Sequence, residues 1–226
     1  MKKTTQISES LLLGIILALA GGFMDAYSYL CRDQVFANAQ TGNILLAGLN
    51  LSMGRWQTAF HYICPVLAFA GGIALADVIK HSMKHKNKIH WRQITVLFEA
   101  AVLAGVSFLP LTRNLLANSL TSFACGIQVE SFRKINGNGI ATTMCIGNLR
   151  TATQSIVDYW YGQDRKVLQK GLLFYGIIVC FVIGAVLGNA CIAVMGTRAI
   201  LMDSGILLMA FLLMFIDKEK QQKNQE

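Results

Sequence analysis

The sequence predicts an all-α integral membrane protein: about six transmembrane helices in two inverted three-helix repeats, each repeat with a short polar re-entrant or broken segment. Three observations lead there. Of 226 residues, 54% are hydrophobic and only 14% charged, against about a quarter charged in an ordinary soluble domain. The charges gather at the N-terminus, over residues 80–92, over 165–170 and after Asp217, with long apolar runs between them. Similar residues also recur half a chain apart at a fixed spacing.

Eight hydrophobic segments follow one another: residues 10–30, 35–51, 58–79, 94–111, 115–132, 139–157, 167–192 and 198–216. A helix needs about 20 mostly apolar residues to cross the hydrocarbon, and several of these reach that length with their flanks. The first follows MKKTTQISES and has the look of a signal peptide. Its apolar run continues into FMDAYSYL with no small-x-small cleavage site, so it reads as a retained helix. The second reads VFANAQTGNILLAGLNL and the sixth GIATTMCIGNLRTATQSIV. Both are short and polar at their centres. In lipid every such polar group needs a partner, so neither reads as a simple span. The third holds Pro65, where a kink is expected. The fourth is interrupted by Glu99, expected to pair with Arg92 or a loop lysine near the cytoplasmic face.

The repeat has an offset of 105 residues. Asp25 matches Glu130, Tyr27 matches Phe132, and Gly42-Asn43 matches Gly147-Asn148. Farther on the offset grows to 112, with Phe69 matching Phe181 and Gly72 matching Gly184. The halves are residues 1–112 and 113–226, together one membrane domain.

Lysine and arginine decide the topology. If all eight segments span, ten basic residues fall inside and nine outside, which is no bias. If the two polar segments enter and leave on one side, fifteen fall inside and four outside. The fifteen are Lys2 and Lys3, the run 80–92, Arg133 and Lys134, the run 165–170, and the tail after Asp217; the four are Arg32, Arg55, Arg113 and Arg198. Both termini are then cytoplasmic. Three spans per half is an odd number, so the halves run in opposite directions, a common transporter architecture.

The stretches GGFMDAYSYL, VFANAQTGNILLAGLNLS and PVLAFAGGIALAD resemble the YoaK family of bacterial membrane proteins, which is named for a domain of unknown function (1275). The resemblance covers nearly the whole chain and is densest over residues 21–77. It implies a bacterial inner-membrane location and about six spans. It brings no established substrate and no catalytic residues.

Ionisable residues inside a span are costly and default to functional candidates. Asp25 and Glu130 are expected to line one central polar site with Asn43 and Asn148, binding a cation or relaying a proton. The alternative is an interfacial place for each carboxylate, paired with Arg32, Arg133 or Lys134. Gln40-Thr41-Gly42-Asn43 and Gly147-Asn148 are expected to break their helices and present backbone N–H groups to a small anion or polar solute. The alternative is helix packing through small and amide residues. Arg150 either faces a pore and attracts anions or snorkels to headgroups.

Six cysteines, none in a CxxC pair, point to neither a disulfide framework nor a zinc site. His81, His85 and His90 share a basic loop with no acidic or cysteine ligand, so no metal or cofactor is implied. The net charge of +8 reads as cytoplasmic loops, and no nucleic-acid motif accompanies it. No GxSxG, HExxH or phosphate-loop string is present, so no enzyme is expected. The implied partners are the lipid bilayer and a small-molecule or ion solute. A transporter or channel is the expected function; a membrane enzyme using buried carboxylates and a non-transporting scaffold are the alternatives.

Overall fold

The computed structural model describes residues 10–83 and 91–223. Lys2, Lys3, Lys84, His85, Lys86, Lys88 and His90 lie outside the described residues. Eight helices account for the eight apolar segments: α1 Leu11–Cys31, α2 Gln40–Ser52, α3 Trp56–Ser82, α4 Trp91–Val106, α5 Asn114–Ser131, α6 Cys145–Gly162, α7 Arg165–Met195 and α8 Ile200–Lys223. A short antiparallel pair, β1 Lys134–Ile135 with β2 Asn138–Gly139, is the one strand pairing among the described residues. The Ser10 hydroxyl accepts the Leu13 N–H and so starts α1. α3 runs through Pro65 without ending.

Leu11–Cys31, Trp56–Ser82 and the stretch Arg165–Phe215, which holds α7 and much of α8, are long and apolar enough to cross a membrane. α2 has 13 residues, about 20 Å of helix, too short to cross. α1 is largely buried inside the protein, while α3 and the α7–α8 stretch expose most of their length. The exposed surface is apolar: Leu67 is 65% exposed, Val186 64% and Val194 86%. Water would not tolerate so large an apolar surface; lipid does. Trp56, Trp160 and Tyr161 stand exposed at helix ends, where a bilayer interface holds aromatic rings.

Packing follows a pattern of exchange. α1 lies along α7, and α5 along α3. α2 rests on α3, and α6 on α7. α4 lies against α5, and α8 against α1. α4 meets α8, and α1 crosses α5. Swapping α1–α4 for α5–α8 turns each of these contacts into another or into itself. The two long crossings are built alike. A side chain at Gly22 would strike the Phe181 carbonyl, and one at Gly184 the Leu19 carbonyl. A side chain at Gly126 would strike the Phe69 carbonyl, and one at Gly72 the Phe123 carbonyl. Four glycines thus let backbone rest on backbone, the close approach that holds helices together in lipid.

Candidate functional site

After α1 the chain turns back on itself. Asp33 and Gln34 take left-handed backbone at φ 61° and 56°, and residues 35–39 run back along α1 with Val35 and Ala37 buried. The Asn38 amide donates to the Gly21 carbonyl at 2.9 Å. Gly21 lies ten residues before the end of α1, about 15 Å down the helix. The Asn38 backbone N–H donates to Asp25 Oδ1 at 2.7 Å, with the N–H groups of Ala37 and Ala39 also directed to that carboxylate. α2 begins there, at Gln40, and runs back toward the end of α1 from which the loop came.

The second polar segment reaches the same place from the other end of α1. Ile135 of the hairpin packs on Gly14, near the start of α1. Farther along, Thr142 and Thr143 reach Gly21, where an added Cβ would lie 3.0 Å from Thr143 Cγ2 and 3.2 Å from the Thr142 carbonyl. The Gln128 amide of α5 donates to Thr142 Oγ1 at 3.1 Å and to the Leu17 carbonyl at 2.9 Å. α6 then begins at Cys145.

The two Gly-Asn pairs explain how the loops hold this path. Asn43 Oδ1 accepts the Phe36 N–H at 3.1 Å, and Asn43 Nδ2 donates to the Phe36 carbonyl at 2.7 Å. Asn148 Oδ1 accepts the Ala141 N–H at 3.3 Å, and Asn148 Nδ2 donates to the Ala141 carbonyl at 2.6 Å. Each amide clasps the backbone seven residues earlier, as a neighbouring strand would. That satisfies groups which, stranded in an apolar setting, cost several kcal/mol each.

The residues named from the sequence therefore part company. Asp25 and Gln40 stand at the meeting point, Gln40 donating to the Ala37 carbonyl at 2.7 Å. Asn43 and Asn148 are consumed by their clasps. Gly42 packs under the Phe36 ring, while Thr41, Gly147 and Arg150 are exposed. Glu130, expected beside Asp25, instead takes Lys80 at 3.5 Å and Arg133 at 3.4 Å. The reason is register. The glycine crossings pair Gly22 with Gly126 and Leu19 with Phe123, an offset of 104. The 105 offset places Glu130 one residue away, and one residue is about 100° of helix rotation. Glu99 does not take a basic partner either: among the described residues both of its carboxylate oxygens lack a hydrogen bond.

Sequence reasoning missed Asn38, Gln128 and Thr143. All three are buried at the meeting point, and Asn38 Oδ1, Gln128 Oε1 and Thr143 Oγ1 have no hydrogen-bond partner among the described residues. Asn38 and Thr143 each stand five residues before a clasping Asn. The 105 offset links them as it links Asn43 to Asn148, so the signal was present. Neither α2 nor α6 has a side-chain cap at its start. A cavity of about 460 Å³ lined by Asn136, Asn138, Lys166, Gln169 and Lys170 opens beside the hairpin, away from Gly21.

Residues 13–213 match the family model described as protein of unknown function (DUF1275). The chain is 26% identical over 183 residues to the UPF0700 transmembrane protein YoaK of Bacillus subtilis (strain 168), covering 76% of this chain and 79% of that protein. No solved structure matches the chain. A transmembrane relative and lipid-compatible helices make this a membrane protein, and the chain belongs to the YoaK family, DUF1275.

Proposed function

We propose that the protein is a transporter or channel that passes a small polar or charged solute across a bacterial inner membrane, without an enzymatic step. One observation carries the reading: two chain segments, arriving from opposite ends of α1, converge on Gly21 and leave three buried side-chain oxygens unpartnered there. Buried polar groups are normally satisfied, so such a cluster calls for water or a solute. In this reading α1, α3, α4, α5, α7 and α8 span, with both termini cytoplasmic. α2 and α6 are re-entrant and start near the membrane midplane, as the broken helices of many transporters do. The exchange symmetry of the packing supports an inverted repeat.

The lining favours a solute that donates hydrogen bonds. Asn38 Oδ1 and Gln128 Oε1 can only accept, the Thr143 hydroxyl can accept or donate, and the Asp25 carboxylate already occupies the start of α2, where an anion would otherwise be drawn. Uptake by proteoliposomes, screened over small cations, amines and neutral polyols with inorganic anions as controls, tests this. Saturable uptake of a donor-bearing solute, reduced at least tenfold in Asp25→Asn, is expected. Uptake no faster than in empty liposomes across the screen would remove the transport reading.

A further inference from the structure

Glu99 of α4 and Asp203 of α8 are both 0% exposed, and all four of their carboxylate oxygens lack a hydrogen-bond partner among the described residues. They lie within electrostatic reach of each other where α4 meets α8. The Ser204 hydroxyl, next to Asp203, donates to the Ala100 carbonyl, next to Glu99, at 2.7 Å and pins the two helices at this level.

The surroundings form a closed ring, since α1 touches α5, α5 touches α4, α4 touches α8 and α8 touches α1. Into this ring α5 turns Cys125, which is fully buried and within electrostatic reach of Glu99, Asp203 and Asp25. Asn118 and Ser122 share that face of α5 at helical spacing. Asn118 Oδ1 and Ser122 Oγ are also buried without a partner. These unpartnered groups on α5 share the buried face of Cys125.

Among the described residues, no countercharge reaches the pair. On α1, Arg32 is fully buried but spends its guanidinium on the Tyr27 hydroxyl, Asn114 Oδ1 and the carbonyls of Val106 and Leu109. On α3, Lys80 serves Asp77 and Glu130. At the start of α4, Arg92 donates to the Ser131 carbonyl. Arg198, just before α8, is exposed. Burying one unpaired ionised carboxylate costs several kcal/mol. Two in one site repel each other, so they cannot both ionise.

We propose that Glu99 and Asp203 form a proton-binding site inside the four-helix ring, distinct from the meeting point at Gly21. Bond making is simple: a carboxylate oxygen takes up H⁺ as an O–H, and release returns that H⁺ to water. This site stands whether or not the protein transports a solute. In the transport reading it supplies the place where a proton could be coupled to solute movement.

Infrared spectroscopy of the reconstituted full-length protein, in light and heavy water, tests it without any solute. A protonated-carboxyl C=O band is expected at neutral pH. It should shift on deuterium exchange, weaken in Glu99→Gln and in Asp203→Asn, and vanish in the double variant. Should a variant fail to fold, ¹³C labelling of Glu alone and of Asp alone in the wild-type chain makes the same assignment. A spectrum in which both side chains contribute only ionised-carboxylate bands would overturn the proposal. So would a band that disappears when sodium is added at fixed pH, since the site would then hold a metal cation.

Discussion

Asn38 grips α1 twice: its backbone N–H donates to the Asp25 carboxylate at 2.7 Å, and its side chain donates to the Gly21 carbonyl at 2.9 Å. One residue thereby fixes where α2 begins. Asp25→Ala leaves the Asn38 N–H without its acceptor, a cost of about 1–3 kcal/mol for a stranded buried donor. Asp25→Asn keeps an acceptor and loses the charge. A lower unfolding temperature in detergent is expected for Asp25→Ala than for Asp25→Asn, with uptake impaired in both. Equal unfolding temperatures would argue against the anchoring role.

The clasps give a matched pair of tests. Asn43→Ala strands the Phe36 N–H and carbonyl, and Asn148→Ala does the same at Ala141. Each is expected to destabilise by at least about 1–3 kcal/mol. Aspartate can accept from the N–H but cannot donate to the carbonyl, so Asn43→Asp should rescue little. Thermal unfolding of the four chains, read by tryptophan fluorescence, checks this; a wild-type midpoint for both alanine variants would contradict it.

At the helix crossings, Gly22 and Gly126 sit against the backbone carbonyls of Phe181 and Phe69. Backbone cannot swing aside as a long side chain can. Gly22→Leu and Gly126→Leu should each cost roughly 1–3 kcal/mol or more through overpacking. Gly105, which has open space around an added Cβ, is the control: Gly105→Leu should leave the unfolding midpoint near wild type.

Arg32 supplies a fourth test. Its planar fork reaches two side chains, Tyr27 and Asn114, and the carbonyls that close the end of α4. Lysine has no such fork. Arg32→Lys should lose at least the worth of one hydrogen bond to a charged group, about 1.5–3 kcal/mol. An unchanged midpoint in urea unfolding would mean the fork contributes nothing.

Much of this fold was legible because hydropathy and spacing are coarse signals. All eight apolar segments became helices, but the Gly42-Asn43 and Gly147-Asn148 pairs, expected to break theirs, lie within the first turns of unbroken α2 and α6. The side chains were harder. Asn43 and Asn148 were found by the repeat, but their partners are backbone groups whose position depends on the loop path, which no spacing reveals. Asp25 and Glu130 shared an offset yet face different surroundings, because one residue of register turns a helix face by about 100°. Arg32 looked like an outer-loop cation and is fully buried. Asp203, in the first turn of α8, carried no sequence signal that singled it out; only the packing of α4 on α8 brings it to Glu99.

In the proposed topology α2 and α6 each enter and leave the bilayer on one side, from opposite faces. Single cysteines at Asp33, Met53, Lys134 and Tyr161, placed in a chain lacking the six native cysteines, report it most directly. These positions flank α2 and α6 and are exposed. A membrane-impermeant thiol reagent added to intact cells should label positions 33 and 53 together and spare 134 and 161 until the membrane is opened. Labelling that separates 33 from 53, or 134 from 161, would make α2 or α6 a true span and would rule out the re-entrant topology.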